Sequence, residues 1–201
     1  MRQRLIELLR EKSLRIGNFT LVSGQRSNYY FDAKPSTLDP EGAYLCSKLI
    51  LEEIKRHRVE ADAIGGLALG AAPIVSAVAA VSFAERERYR PLSAFIARKD
   101  VKAHGTQRRI EGFSGPPGTP VVVVDDVCTT GGSTLAAVQC AEEAGYQVLA
   151  IFCIVDREQG GKDLLAAYPF FALIRASELL DDPEIQKKLE SARRNSGEAL
   201  D

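Results

Sequence analysis

Neither sign of charge dominates the sequence of 201 residues: 26 Lys and Arg face 27 Asp and Glu, a formal net charge of -1. That balance argues against a nucleic-acid surface, which needs a net basic face to track phosphates. It leaves room for a small anionic ligand, because one site needs only local charge. Cysteine is sparse and scattered. Cys46, Cys128, Cys140 and Cys153 form no CxxC pair, which argues against a disulfide framework or a structural zinc site and for reduced thiols in the cytoplasm. The stretch Met1–Arg10 lacks the unbroken apolar run of a signal peptide, since Glu7 interrupts it. A membrane span is missing as well. Ala63–Ala84 is 22 residues without a charge, nominally long enough to cross a bilayer, but it contains Gly65, Gly66, Gly70 and Pro73 and is rich in alanine. A strand, a glycine-rich turn and a buried helix fit it better. There is no internal repeat, no Gly-Lys-Ser/Thr P-loop, no GxGxxG and no Ser/His/Asp or Cys/His order suited to hydrolysis.

The residues that are present, 45% apolar and 26% charged, have the balance of a soluble globular chain, and the length suits about one domain. Leu5, Leu8 and Leu9 at helical spacing predict a helix over residues 2–13. β-forming residues from Phe19 to Lys34 around Ser23-Gly24-Gln25 predict a hairpin. Asp39-Pro40-Glu41 supplies an N-cap, a first-turn proline and a first-turn carboxylate, so a helix should run to about His57. His57, among cations at that helix end, is read as a surface residue. A strand over Ala61–Gly65, a helix over Pro73–Ala84 and a strand over Leu92–Ala97 follow. Residues 98–118 read as one long loop. Pro120–Val124 and Gln147–Val155 are apolar without alternation, as parallel strands covered on both faces are. A helix lies between them over Gly132–Ala144, Tyr168–Ile174 reads as a further strand, and Asp182-Pro183-Glu184 opens a terminal helix. The expected fold is α/β: a mostly parallel sheet flanked by helices, with a small N-terminal hairpin (about residues 14–38). Residues 1–180 form the single domain and 181–201 a charged C-terminal helix or tail. Ligands in such sheets bind at the carboxyl ends of the strands.

The most informative string is Val121-Val-Val-Val-Asp125-Asp126-Val127-Cys128-Thr129-Thr130-Gly131-Gly132-Ser133-Thr134. A buried strand delivers two carboxylates to the sheet edge, and a Thr/Gly/Ser loop then runs straight into a helix. Backbone N–H groups, the helix dipole and the hydroxyls of Thr129, Thr130, Ser133 and Thr134 together make a phosphate cradle. A phosphate beside two carboxylates suggests a sugar phosphate, whose hydroxyls donate to the acids. This string resembles the phosphoribosyl-pyrophosphate (PRPP) motif of the type I phosphoribosyltransferases. By that resemblance, Asp125 and Asp126 hold the ribose 2′ and 3′ hydroxyls, the backbone of Thr129–Thr134 holds the 5′-phosphate, and Val127, Cys128, Thr129, Thr130, Gly131, Gly132 and Ser133 all count among the PRPP-binding residues.

A second string, Ala97-Arg98-Lys99-Asp100-Val101-Lys102-Ala103-His104-Gly105-Thr106, lies in the long loop. From Arg98 to Arg109 five Lys/Arg stand against one Asp, a local charge of +4. Such cations can gather around a departing pyrophosphate. This pattern resembles the catalytic loop of the orotate branch of the family. Phe19-Thr-Leu-Val-Ser-Gly24 with Ser27-Asn-Tyr-Tyr30-Phe31-Asp32 is similar to its substrate hairpin, and Asp156-Arg157-Glu-Gln-Gly-Gly161 to the stretch whose arginine meets the orotate carboxylate. A guanidinium fork suits that planar anion.

The resemblance covers roughly residues 14 to 175. It implies transfer of a phosphoribosyl group from PRPP to orotate for pyrimidine synthesis, with Lys99, Lys102, His104, Asp125 and Asp126 as catalytic residues. Arg98, Lys99, Lys102 and His104 would join the phosphate loop in holding PRPP, and Thr129, Arg157, Tyr30 and Phe31 would hold orotate. It also implies Mg²⁺ carried mainly by PRPP and water, with no direct protein ligand. A cytoplasmic homodimer sharing the 98–109 loop completes the picture, with no nucleic-acid or membrane partner. Two positions depart from the pattern: Val22 stands where many members carry a lysine, and Gly70 where some do. Two other readings share the PRPP motif, a purine phosphoribosyltransferase and a non-catalytic PRPP-binding regulator. The first should lack the hairpin and basic loop; the second should lose the loop cations.

Overall fold

The computed structural model describes residues 1–20, 26–99 and 109–195. The chain opens with α1 (Arg2–Lys12), which buries Leu5, Ile6, Leu8 and Leu9 on one face. β1 (Leu14–Thr20) and β2 (Arg26–Phe31) pair antiparallel, Leu14 opposite Phe31 and Thr20 opposite Arg26. β1 starts at Leu14, ahead of the β-forming run from Phe19 and at the lower bound expected for the hairpin. Val22 and the expected turn, Ser23-Gly24-Gln25, lie outside the described residues. A short helix that the sequence did not announce, α2 (Lys34–Thr37), precedes α3 (Pro40–Arg56). α3 begins as read: the Asp39 carboxylate accepts from the N–H groups of Glu41 and Gly42.

The rest of the chain alternates: β3 (Ala63–Leu67), α4 (Ala72–Ala84), β4 (Ser93–Ala97), β5 (Ile110–Gly112), β6 (Pro120–Cys128), α5 (Gly132–Glu143), β7 (Gln147–Asp156), α6 (Gly161–Leu164), β8 (Phe170–Arg175), α7 (Ala176–Leu180) and α8 (Pro183–Asn195). The strands form one sheet in the order β5-β4-β3-β6-β7-β8, parallel except for β5. α1, α3 and α4 cover the face carrying Ile64, Val122, Val124, Phe152 and Ile154. α5 covers the opposite face, where Leu67, Val123, Ile151 and Cys153 meet Ala137 and Val138. Val121 to Val124 are fully buried, each valine contributing roughly 1.5–3 kcal/mol by leaving water. Cover on both faces is why the run does not alternate. α8 lies against the hairpin and buries Leu189.

Three expectations about boundaries are corrected. The strand expected to end at Gly65 runs on to Leu67, so Gly66 lies inside β3 and not in the turn. A Cβ at Gly65 would lie 2.1 Å from the Phe95 ring, and one at Gly66 2.1 Å from the Val124 carbonyl oxygen. Glycine is therefore required there by close packing and not by backbone curvature. β6 does not stop at Val124 but runs to Cys128, so Asp125 and Asp126 are strand residues. Residues 98–118 are not one loop, because Ile110 pairs with Ala97 and Gly112 with Phe95. The uncharged stretch 63–84 is β3 plus α4, and among the described residues no helix is long and apolar enough to cross a membrane.

β3 has β4 on one side and β6 on the other. The winding of the sheet thus reverses between β3 and β6. Their carboxyl ends, Leu67 and Cys128, open the crevice where open α/β sheets bind ligands.

Candidate active site

Register brings the sheet ends together. Leu67 lies beside Ala97, Gly65 beside Val123, and Asp125 beside Cys153, so β4, β3 and β6 finish at one edge. From β6 the chain crosses Thr129 and Thr130 to Gly131, whose φ of 83° marks the left-handed region that glycine enters without penalty. Gly131 is the N-cap of α5, and no side chain caps that helix. Its first-turn N–H groups and dipole are left to the crevice, the arrangement that binds phosphate. Thr130, Gly132 and Ser133 are exposed, and Thr129 is half-buried. Cys128 is fully buried, and burial pushes its thiol up to about 11, so it offers the crevice backbone alone. The loop is tied to the end of β7: the Arg157 N–H donates to the Cys128 carbonyl at 2.8 Å, and the Gly161 N–H to the Thr129 carbonyl at 3.0 Å.

The two carboxylates differ. Asp125 is 6% exposed; its Oδ2 accepts from the Thr134 hydroxyl at 2.6 Å and its Oδ1 from the Asp126 N–H at 3.1 Å. Burial, reinforced by the Asp126 carboxylate, pushes Asp125 up to about 7, while the Thr134 hydrogen bond pulls the other way. Thr134 therefore serves Asp125; it is buried and is not the further phosphate donor expected of it. Asp126 is half-buried, accepts from the Val127 N–H at 3.0 Å, and is backed by the turn after β3. There a Cβ on Gly70 would lie 2.3 Å from Asp126 Oδ1.

A carboxyl raised in the folded chain favours folding below its unfolded pKa and loses that contribution as pH rises through about 7. Asp125→Asn should therefore raise the thermal midpoint at pH 8 by about 2–4 °C, roughly 1 kcal/mol, and leave it nearly unchanged at pH 4. Calorimetry of the ligand-free chain at both pH values checks this. A lower midpoint at pH 8 would contradict the burial argument.

Arg157 follows β7 directly. It is 9% exposed, its Nε has no hydrogen-bond partner, and its guanidinium sits 4.7 Å from the Tyr29 ring centroid. A buried cation with an orphaned donor is costly unless an anion joins it. Of the hairpin residues expected here, Tyr30 is exposed, with its ring 5.7 Å from that of Phe19. Phe31 is 7% exposed and packs into the α1–α3 core, so its ring is withdrawn from the crevice. Tyr29 was not foreseen. Strand alternation from the buried Phe31 would have turned it inward.

The basic segment is pinned at both ends. Arg98 pairs with Glu111 of β5, its Nη2 donating to Oε2 at 2.9 Å and its Nε 2.9 Å from Oε1, and Arg109 pairs with Glu143 of α5 at 2.6 Å. The Arg98 N–H donates to the Arg109 carbonyl at 2.9 Å. Two of the five counted cations thus already face carboxylates, so the local charge overstates what a substrate would meet. Lys99 is exposed at the sheet edge. Residues 100–108, with Lys102 and His104, lie outside the described residues.

Lys34, which sequence reasoning passed over, opens α2 just after the hairpin. Its Nζ is 3.0 Å from Asp32 Oδ1, and its N–H donates to the same oxygen at 3.1 Å. The hydrogen bond to Asp32 raises the lysine above its ordinary value, and Asp126 contributes to the same effect.

Comparison with known proteins agrees with this geometry. The family model described as phosphoribosyl transferase domain matches residues 38–175. A protein of Aquifex aeolicus named orotate phosphoribosyltransferase is 42% identical over 184 residues, covering 89% of this chain and 97% of that protein. The crystal structure of the Mycobacterium tuberculosis orotate phosphoribosyltransferase with Fe(III) dicitrate superposes with a TM-score of 0.76 at 35% identity, covering 89% of this chain and 98% of that one. The same enzyme in complex with PRPP gives a TM-score of 0.73 at 32% identity, over 89% of this chain and 98% of that one.

Proposed function

Because the chain belongs to the phosphoribosyl transferase domain family, and within it to the orotate phosphoribosyltransferases, we propose that the crevice between β3 and β6 is where it joins PRPP to orotate. The enzyme transfers the phosphoribosyl group of PRPP to orotate, giving orotidine 5′-monophosphate and pyrophosphate in pyrimidine synthesis. The observation that carries this assignment of the site is the pairing of an uncapped α5 N-terminus with two strand-end carboxylates, next to a buried arginine with an unpartnered donor.

The 5′-phosphate sits on the backbone from Val127 to Ser133, with the exposed hydroxyls of Thr130 and Ser133 as added donors. Asp125 and Asp126 accept from the ribose 2′ and 3′ hydroxyls. Arg157 takes the orotate carboxylate in its fork, with Tyr29 beneath the guanidinium, Tyr30 at the mouth and Thr129 beside it; Phe31 contributes backbone. Orotate N1 attacks the ribose C1′ as the bond to pyrophosphate breaks. The electron pair leaves with the pyrophosphate and the N1 proton is lost, so no protein nucleophile takes part. Lys99, Lys102 and His104 face the charge that develops on the leaving group, while Arg98 holds the base of their segment through Glu111. Positioning and charge stabilisation are what the protein supplies.

Mg²⁺ would be carried on PRPP oxygens and water without a direct protein ligand, since magnesium keeps much of its water, and the hard oxygens of Asp125 and Asp126 nearby suit its charge. When bound it neutralises phosphate charge. The face of α4 that carries Ser76, Ala80 and Phe83 is exposed and without charge, which supports pairing with a second copy. Residues 1–180 act as one domain, in the cytoplasm, with 181–201 as its charged end.

Incubating the chain with PRPP, Mg²⁺ and either orotate or a purine base, and following base absorbance, tests the reading. Loss of the orotate signal only when PRPP is present is expected. Consumption of the purine instead would overturn it.

A further inference from the structure

We propose that Lys34 is a PRPP-binding residue that delivers, from the hairpin side, the cation that the glycine at position 70 cannot supply to the pyrophosphate. The inference rests on the site assignment above and adds to it a residue that neither the PRPP motif nor the basic segment contains.

The argument begins with space. The turn after β3 backs onto Asp126 so closely that a Cβ at position 70 would meet its carboxylate at 2.3–2.8 Å. A side chain there could be admitted only by moving the carboxylate that holds ribose, so no lysine can arrive by that route while Asp126 keeps its place. The hairpin side offers another cation within electrostatic reach of that carboxylate. β2 ends at Phe31, and Asp32 then caps the turn into α2 by accepting the Lys34 N–H at 3.1 Å. This cap fixes where the lysine begins. Its ammonium rests on Asp32 Oδ1 at 3.0 Å, with roughly two-fifths of the side chain still open to solvent. It is also within the electrostatic reach of Asp126 and of Tyr30. The hairpin itself is docked at the crevice, since Tyr29 lies under the Arg157 guanidinium.

Charge favours a movement toward substrate. Without ligand, Lys34 stands among the carboxylates Asp32 and Asp126. PRPP brings several negative charges to that point, and a flexible four-carbon stem lets the ammonium exchange Asp32 for a phosphoryl oxygen. A half-exposed ion pair is weak, so leaving it costs little. A contact with a multiply charged pyrophosphate inside the crevice is stronger.

Three substitutions test this: Lys34→Ala, Lys34→Arg and Asp32→Asn, each titrated with Mg²⁺-PRPP by calorimetry and assayed for steady-state transfer. Lys34→Ala should weaken PRPP binding and pyrophosphate product inhibition about tenfold each, with KM for orotate within about twofold. Lys34→Arg should restore most of the binding. Asp32→Asn keeps the oxygen that accepts the Lys34 N–H but frees the ammonium, and should bind PRPP at least as tightly as the parent. Unchanged PRPP binding in Lys34→Ala overturns the proposal. So does an equal rise in KM for both substrates, which would mark a disturbed hairpin. Absence of orotate consumption by the parent chain would instead refute the family reading, and PRPP titration would still decide the role of Lys34.

Discussion

Lys99→Ala lowers kcat by roughly two to three orders of magnitude, the loss that follows when one preorganised group facing developing charge is removed. Lys99 leaves the sheet two residues after β4 ends at Ala97, at the edge shared by Leu67 of β3, and its side chain is exposed. Its backbone is held: the Arg109 guanidinium reaches the Lys99 carbonyl at 3.5 Å, and Arg98, just before it, is paired with Glu111. The stem of the basic segment is therefore fixed by groups other than the Lys99 ammonium, and the substitution should leave fold and thermal midpoint intact. The pyrophosphate gains charge as its bond to C1′ breaks, so the missing cation is felt most in the transition state and kcat falls more than substrate affinity. Steady-state kinetics beside a melting curve checks this. An unchanged kcat in a folded variant removes Lys99 from the mechanism.

Arg157→Lys raises KM for orotate roughly tenfold to a hundredfold and leaves KM for PRPP within about twofold, the size expected for loss of a charge-assisted buried hydrogen bond. Arg157 is buried, its Nε is unpartnered, and its guanidinium sits over the Tyr29 ring. A lysine would bring the same charge without the planar fork and without the stacking face. In the proposed site PRPP is held by β6 and the start of α5, to which Arg157 is tied by its own N–H to the Cys128 carbonyl. That backbone bond survives the substitution. Equal loss for both substrates would show that the side chain supports the phosphate loop and does not meet the base.

The parts of the site that could be read from the sequence are those whose chemistry lies in consecutive residues. Val121–Thr134 carries its strand, carboxylates, turn and helix start in order, so the cradle needed no tertiary information. Arg157 was legible for a similar reason, as a cation directly after a buried strand. Thr134 was misassigned because a threonine in the first turn of a helix reads equally well as a phosphate donor; only the fold shows its hydroxyl turned back onto Asp125. Lys34 and Tyr29 were passed over because their neighbours, Asp126 and Arg157, are remote in sequence and meet them only when the hairpin docks. Gly66 reads from the sequence as part of the turn, since glycine marks both turns and close approach, and the Val124 carbonyl that decides between them belongs to another strand. β5 is three residues long, too short for a periodicity to register.

The central claim is that one crevice couples orotate consumption to PRPP cleavage, and the most direct measurement follows both in one reaction. Orotate absorbance and pyrophosphate release are recorded together, for the parent chain and for Asp125→Asn combined with Asp126→Asn. The account predicts equimolar orotate loss and pyrophosphate release in the parent, both reduced by at least about a hundredfold in the double variant. Pyrophosphate release without orotate loss, or undiminished transfer in the double variant, would contradict it.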